Sequence, residues 1–154
     1  MRRKYAAMVL LVCTLPVLLL CLNHAPTQNA AGRQLTLTAG DAEVVITLNG
    51  SRAAAALVRM LPVEATLVRR NYFAQSMVLP TPLPDAEPVT RSYAVGDFVY
   101  WPDGQNVAVF YDDLFDQTSV PVIPLGKVKG DAAQLKEYTG TARLALRPEH
   151  SAAD

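Results

Sequence analysis

Three acidic side chains cluster after the second aromatic-rich strand: Asp112, Asp113 and Asp116. Two carboxylates held together raise one pKa enough for general-acid work. Neighbours on an extended chain point to opposite faces, however, so Asp112 and Asp113 need not meet, and a solvated loop accounts for all three. A nucleophile lacks its base. His24 and His150 lie in the terminal segments, so no imidazole stands near Ser76, Ser92 or Ser119 to activate it. Both cysteines, Cys13 and Cys21, also lie near the N-terminus, which leaves the rest of the chain without zinc donors and with carboxylates suited only to weak calcium binding. No glycine-rich phosphate loop follows a predicted strand. The sequence predicts no catalytic residue, no metal site and no cofactor.

What remains is aromatic and cationic. Residues 96–113 hold five aromatics, Phe98, Tyr100, Trp101, Phe110 and Tyr111. They read as two strands, 97–101 and 107–111, joined by Pro102-Asp103-Gly104, where Asp-Gly supplies the positive φ values of a hairpin turn. Alternation puts Phe98 and Tyr100 on one face of the first strand and Val99 and Trp101 on the other, so one face is core and the other partly exposed. Tyr72, Phe73 and Tyr93 are expected to approach this hairpin. An aromatic-lined mouth is a common ligand site, and Arg69 or Arg70 would supply its anion or carbonyl partner. The predicted ligand-binding set is Arg70, Tyr72, Phe73, Tyr100, Trp101 and Tyr111.

These side chains need strands to hold them. Residues 34–39 and 42–48 alternate around Gly40-Asp41 as a first hairpin, with Leu35, Leu37, Val44, Ile46 and Leu48 inward. Ser51 is a plausible N-cap for a helix over 52–61, with Ala53, Ala56, Leu57 and Met60 on its packed stripe and Pro62 beyond its end. Residues 63–70 and 73–79 are two more strands. Four prolines between Pro80 and Pro88 make an extended loop that cannot join a ladder. Residues 120–128 are strand-like, but Pro121 and Pro124 confine them to an edge or an irregular path, with a bend at Gly126. A second short helix over 132–138 stops at Gly140, and 141–147 alternates again. About eight short strands with one-faced alternation and two short helices predict a mainly β, closed antiparallel barrel or sandwich with helices covering its openings.

The 154-residue chain has room for one domain behind a leader. Arg2, Arg3 and Lys4 precede an uncharged apolar run over residues 5–22, the pattern of a signal peptide or a retained membrane anchor helix, assigned to residues 1–25. The charge order puts the domain outside the cytoplasm, periplasmic or at the cell surface. Residues 26–33 are a linker, 34–148 the domain and 149–154 a frayed tail. Past residue 32 there are 11 basic and 14 acidic side chains, a formal −3 that gives no electrostatic footprint for nucleic acid. With no cysteine in the domain, its core alone must hold it together.

The segment Leu48-Asn49-Gly50-Ser51-Arg52-Ala53-Ala54-Ala55-Ala56-Leu57-Val58-Arg59-Met60-Leu61-Pro62 resembles the strand–helix segment of the bacterial cyclophilin-like domain family. Its usual form there is a strand, Asp-Asn, a small-residue helix and Leu-Pro; Leu48 stands where the family often has Asp. Three further segments match in order: Leu79-Pro80-Thr81-Pro82-Leu83-Pro84, the stretch from Gly96-Asp97-Phe98-Val99-Tyr100 to Val109-Phe110-Tyr111, and Pro124-Leu125-Gly126-Lys127-Val128. The resemblance spans residues 34–147. It implies a small closed barrel related to cyclophilin, with a helix over each end, in a family whose members are often exported and mostly without an established activity.

True cyclophilins gather an Arg, a Phe, a Met and a Gln, with a later Trp and His, around a proline pocket. Here Arg70, Phe73, Gln75 and Met77 supply similar types at a different spacing, no His falls in the domain, and the Gly-Gly after the family's Gln is missing. The expectation is therefore an exported binder of a small molecule or peptide that does no covalent chemistry. The alternatives are a divergent peptidyl-prolyl isomerase and an accessory module whose proline-rich loop contacts a membrane or redox partner.

Overall fold

The computed structural model describes residues 29–149. The leader, the start of the linker and the end of the tail lie outside the described residues. Eight strands follow one another as β1 (Gln34–Ala39), β2 (Ala42–Leu48), β3 (Val63–Arg70), β4 (Ala74–Val78), β5 (Asp97–Trp101), β6 (Asn106–Phe110), β7 (Ile123–Lys129) and β8 (Gly140–Leu146). One helix, α1 (Arg52–Met60), separates β2 from β3. The strands close into an all-antiparallel ring in the order β1-β2-β7-β5-β6-β4-β3-β8. Closure leaves no free sheet edge, which is how a β protein of this size avoids edge pairing.

Alternation decides what the ring encloses. Leu35, Leu37, Val44, Ile46, Leu67, Met77, Phe98, Tyr100, Val107, Val109 and Leu144 all point inward and are buried. Their packing leaves a void of only about 10 Å³ in the lumen. The barrel is a filled core and not a container.

Helix α1 is capped as predicted, with the Ser51 hydroxyl accepting from the Ala54 amide at 3.1 Å. Its buried face is broader than the predicted stripe: Ala53, Ala54, Ala55 and Leu57 are buried, and Ala56 and Met60 are partly so. Four small residues bring the helix close to the barrel. The second predicted helix is instead a single 3-10 turn, Ala132–Leu135. Asp131 caps it through the Ala133 amide at 2.8 Å. The Lys136 and Tyr138 amides donate to carbonyls three residues back, Ala133 at 3.0 Å and Leu135 at 3.2 Å, so the segment keeps the tighter 3-10 spacing up to β8, which begins at Gly140 with φ +147°. The Gln75 side-chain amide rises from β4 to donate to the carbonyls of Leu135 (2.9 Å) and Tyr138 (2.8 Å), holding this turn in place.

Two local expectations also change. Strand β7 lies inside the ring, between β2 and β5, despite Pro124. A register shift makes this possible: Phe98 pairs with Gly126 and Val99 with Pro124, so Leu125 is bulged out of the pairing and its side chain stays buried. In the β5–β6 turn the positive φ falls on Gln105 (+52°) and not on Gly104. Gly104 is needed for space: a Cβ there would collide with the Trp101 ring and come within 2.6 Å of the Asn106 amide nitrogen.

Candidate functional site

The outward faces of β4, β5 and β6 form the floor of a groove on the barrel wall. Strand pairing aligns Ala74 with Phe110, Ser76 with Ala108, Val99 with Ala108 and Trp101 with Asn106, so these side chains share one patch. Phe73, Ala74, Val99, Phe110 and Val122 form a second hydrophobic cluster, separate from the lumen, with Tyr93, Trp101, Ala108 and Val120 packed against it. Phe73 meets Tyr93 edge-on at 5.2 Å, Phe115 at 5.1 Å and Phe110 in a stack at 5.3 Å.

Residues 112–122 arch over this floor as the far wall. Val122 and Thr90 exchange two backbone hydrogen bonds of 2.9 Å, and the Arg91 guanidinium donates to the carbonyls of Thr118 (3.0 Å) and Ser119 (2.7 Å). The Tyr93 hydroxyl accepts from the Phe115 amide at 3.0 Å. Between floor and arch lies a hollow of about 230 Å³. A neighbouring hollow of about 220 Å³, lined by Arg91, Phe115 and Gln117, shares Asn71, Phe73, Thr118 and Ser119 with it.

Arg70 stands at the rim. Its Nε donates to the Ser76 hydroxyl at 2.9 Å, and the guanidinium lies 5.8 Å from the Trp101 ring centroid. One nitrogen is thus fixed and the plane is held over an aromatic, which leaves the guanidinium fork pre-oriented toward the groove. Two buried atoms of groove residues, Trp101 Nε1 and Asn106 Oδ1, have no hydrogen-bond partner among the described residues. Asn106 is only 3% exposed, and its amide nitrogen donates to the Gly104 carbonyl.

The six predicted binding residues therefore separate. Arg70, Phe73 and Trp101 meet in the groove. Tyr72 sits in the β3–β4 turn with φ +61°, 68% exposed, beneath the Arg69 guanidinium at 5.6 Å. Tyr100 is inside the barrel, and its hydroxyl accepts from the Leu83 amide at 3.1 Å. Tyr111 packs in the lumen cluster, with its hydroxyl buried and unpaired among the described residues. Burial pushes that phenol's pKa up; nearby Arg69 acts in the opposite direction, while Glu137, Asp112 and Tyr72 add to the rise.

Sequence reasoning missed Ser76, Asn106 and the arch from Thr118 to Val122. The first two follow from register: Ser76 pairs with Ala108, which pairs with Val99, and Asn106 pairs with Trp101, so both share the outward face of Val99 and Trp101. Alternation in turn separates the cyclophilin-type residues, because Gln75 and Met77 point into the barrel and only Arg70 and Phe73 reach the groove. The proline-rich loop is packed down and does not stand free. Leu79 and Leu83 are buried, and Arg52 on α1 binds the Ala86 carbonyl at 2.6 Å and the Glu87 carboxylate through its backbone amide at 2.8 Å. Among the described residues no group of His, Cys, Asp or Glu is placed to hold a metal, and no helix is long and apolar enough to cross a membrane.

A closed eight-stranded antiparallel barrel with a filled lumen and a groove on its outer wall defines the structural class. The family model described as the cyclophilin-like family matches residues 37–147, and the chain belongs to that family. No curated protein matches it. Among solved structures, the chain is similar to a hypothetical protein from Archaeoglobus fulgidus determined in solution, at 15% identity and a TM-score of 0.66, over 78% of this chain and 98% of that one. It is also similar to McbB, solved in complex with tryptophan, at 16% identity and a TM-score of 0.57. That match covers 79% of this chain and 47% of McbB, so this chain spans about half of McbB's length. At these identities both likenesses concern the fold.

Proposed function

We propose that the outer-wall groove binds a small molecule or short peptide that carries an apolar group beside a carbonyl or carboxylate, without covalent chemistry. The supporting observation is the contrast in space: the lumen holds about 10 Å³, whereas the groove keeps about 230 Å³ between an aromatic floor and a tethered arch. The apolar group lies against Phe73, Val99 and Phe110, and its oxygen faces the Arg70 fork. The leader pattern supports an exported protein, cleaved or membrane-anchored, with the groove in an extracytoplasmic compartment. A binder fits the chemistry better than an enzyme, since residues 29–149 contain no His or Cys and the isomerase-type residues are split between two faces.

Trp101 is the chain's sole tryptophan and lines the groove, so its fluorescence reports occupancy. The panel comprises N-acetylated apolar amino acids, short apolar peptides and free tryptophan, the last because McbB was solved with it. At least one is expected to give a saturable change. Replacing Arg70 with Met should weaken that binding by about tenfold or more, the usual effect of losing a charge-assisted hydrogen bond. A panel in which nothing perturbs Trp101 would overturn the proposal.

A further inference from the structure

At the end of the barrel where β1 starts and β8 finishes, Arg33, Arg147 and Lys129, the last residue of β7, line a hollow of about 450 Å³, with Gly32, Gln34, Pro148 and the single carboxylate Glu149. None of the three cations belongs to an ion pair among the described residues, where Arg52, Arg69, Lys127 and Arg143 each have an acidic partner. The domain as a whole is acidic, with 11 basic against 14 acidic side chains after residue 32, so this concentration runs against its net charge. Geometry adds direction. In the ring β6 is four strands from β1 either way round, so the groove floor on β5-β6-β4 faces away from the β8-β1-β2 wall.

Chain length supplies the occupant. The apolar run ends at Leu22 and the hollow begins at Gly32, so even a fully extended link reaches no more than about 40 Å. We infer that this basic hollow rests on anionic lipid headgroups and holds the barrel on the membrane with its groove turned outward. The inference rests on the reading that the apolar run keeps the chain at a membrane. Anionic headgroups attract each juxtamembrane Lys or Arg within a Debye length of the surface, and three on one face orient the body that carries them. The contact is electrostatic, so it depends on lipid charge and on salt.

The full chain, incorporated into nanodiscs that contain a gadolinium-chelating lipid, tests this by paramagnetic broadening. In discs containing phosphatidylglycerol the amide signals of Gly32, Arg33, Lys129 and Arg147 should disappear while the Trp101 indole N–H signal persists. The amide signals should return in pure phosphatidylcholine, in high salt, and in the variant combining Arg33→Glu, Lys129→Glu and Arg147→Glu. Equal broadening in neutral and anionic discs would overturn the inference, as would loss of the Trp101 signal first. A hollow that responds to inorganic phosphate but not to anionic discs would be a pocket for a soluble anion, and the inference would fall. A full chain that does not enter discs at all would remove the membrane reading itself, and the inference with it.

Discussion

Strands β4, β5 and β6 present two unlike faces. Inward, Gln75, Met77, Phe98, Tyr100, Val107 and Val109 meet side chains from the other strands of the ring, and almost no space is left. Outward, Ala74, Ser76, Val99, Trp101, Ala108 and Phe110 are covered by one arching segment, and a hollow remains. Both faces are apolar and both come from the same period-2 pattern. The difference lies in what stands opposite: a closed ring supplies its own partner on the inside, whereas the outside depends on a loop. Stability therefore belongs to the inner face, and the recognition proposed above to the outer one.

Damage to the inner face should cost the most. Leu144 on β8 is fully buried in the lumen, far from the groove. Leu144→Ala should destabilise the fold by about 2–5 kcal/mol, the usual result of deleting a leucine side chain from a packed core. Urea denaturation measures it. Binding of any groove probe to the folded fraction should be unchanged; a loss below about 1 kcal/mol would mean the lumen does not hold the barrel.

Both faces depend on ring closure. Gly126 on β7 lies so close to β2 that a Cβ would sit on the Thr47 carbonyl oxygen and 3.0 Å from the Leu48 Cα. These are backbone atoms and cannot swing aside. Gly126→Ala should destabilise by about 1–3 kcal/mol through overpacking, with hydrogen exchange quickening at Val45 to Leu48, the residues of β2 paired with β7. Unchanged exchange there would show that the ring can widen locally.

Much of this division is legible in the residues. Alternation at 34–39 and 42–48 placed strands and inward faces correctly, because a single buried face imposes a period of two. At 97–101 it separated the two faces without saying which is core. Ser51 marked the start of α1 because its side chain is a local cap. What escaped depends on distant parts of the chain. Ala132–Leu135 has helix-forming composition, yet the carbonyls of Leu135 and of Tyr138 beyond it are taken by the Gln75 side chain from β4. In the sequence the arch divides between a mixed polar stretch up to Ser119 and a strand-like start at Val120, since its role comes from Arg91 and Thr90 about thirty residues earlier. Tyr100 and Tyr111 look like Trp101 in composition, and only the sense of the barrel's closure separates core from groove.

The Tyr111 hydroxyl carries the smallest effect. Tyr111 is an inner-face aromatic whose hydroxyl has no hydrogen-bond partner among the described residues, so the group contributes burial cost without a compensating bond. Tyr111→Phe should therefore leave stability at neutral pH unchanged or raise it by up to about 1 kcal/mol. Its effect on pH dependence has a definite sign. Burial raises the folded-state pKa above the ordinary tyrosine value of 10.0 despite the opposing Arg69 charge, so the folded protein keeps this proton longer than the unfolded chain. The associated stability is fully present below the unfolded pKa and is lost as pH rises through the raised folded value. Urea midpoints measured from about pH 8 to about pH 11 should fall more steeply for the wild type than for Tyr111→Phe, while other tyrosines and lysines contribute equally to both. Parallel curves would mean that the Tyr111 hydroxyl reaches water, and that the inner face is open at the end where Arg69 and Glu137 stand.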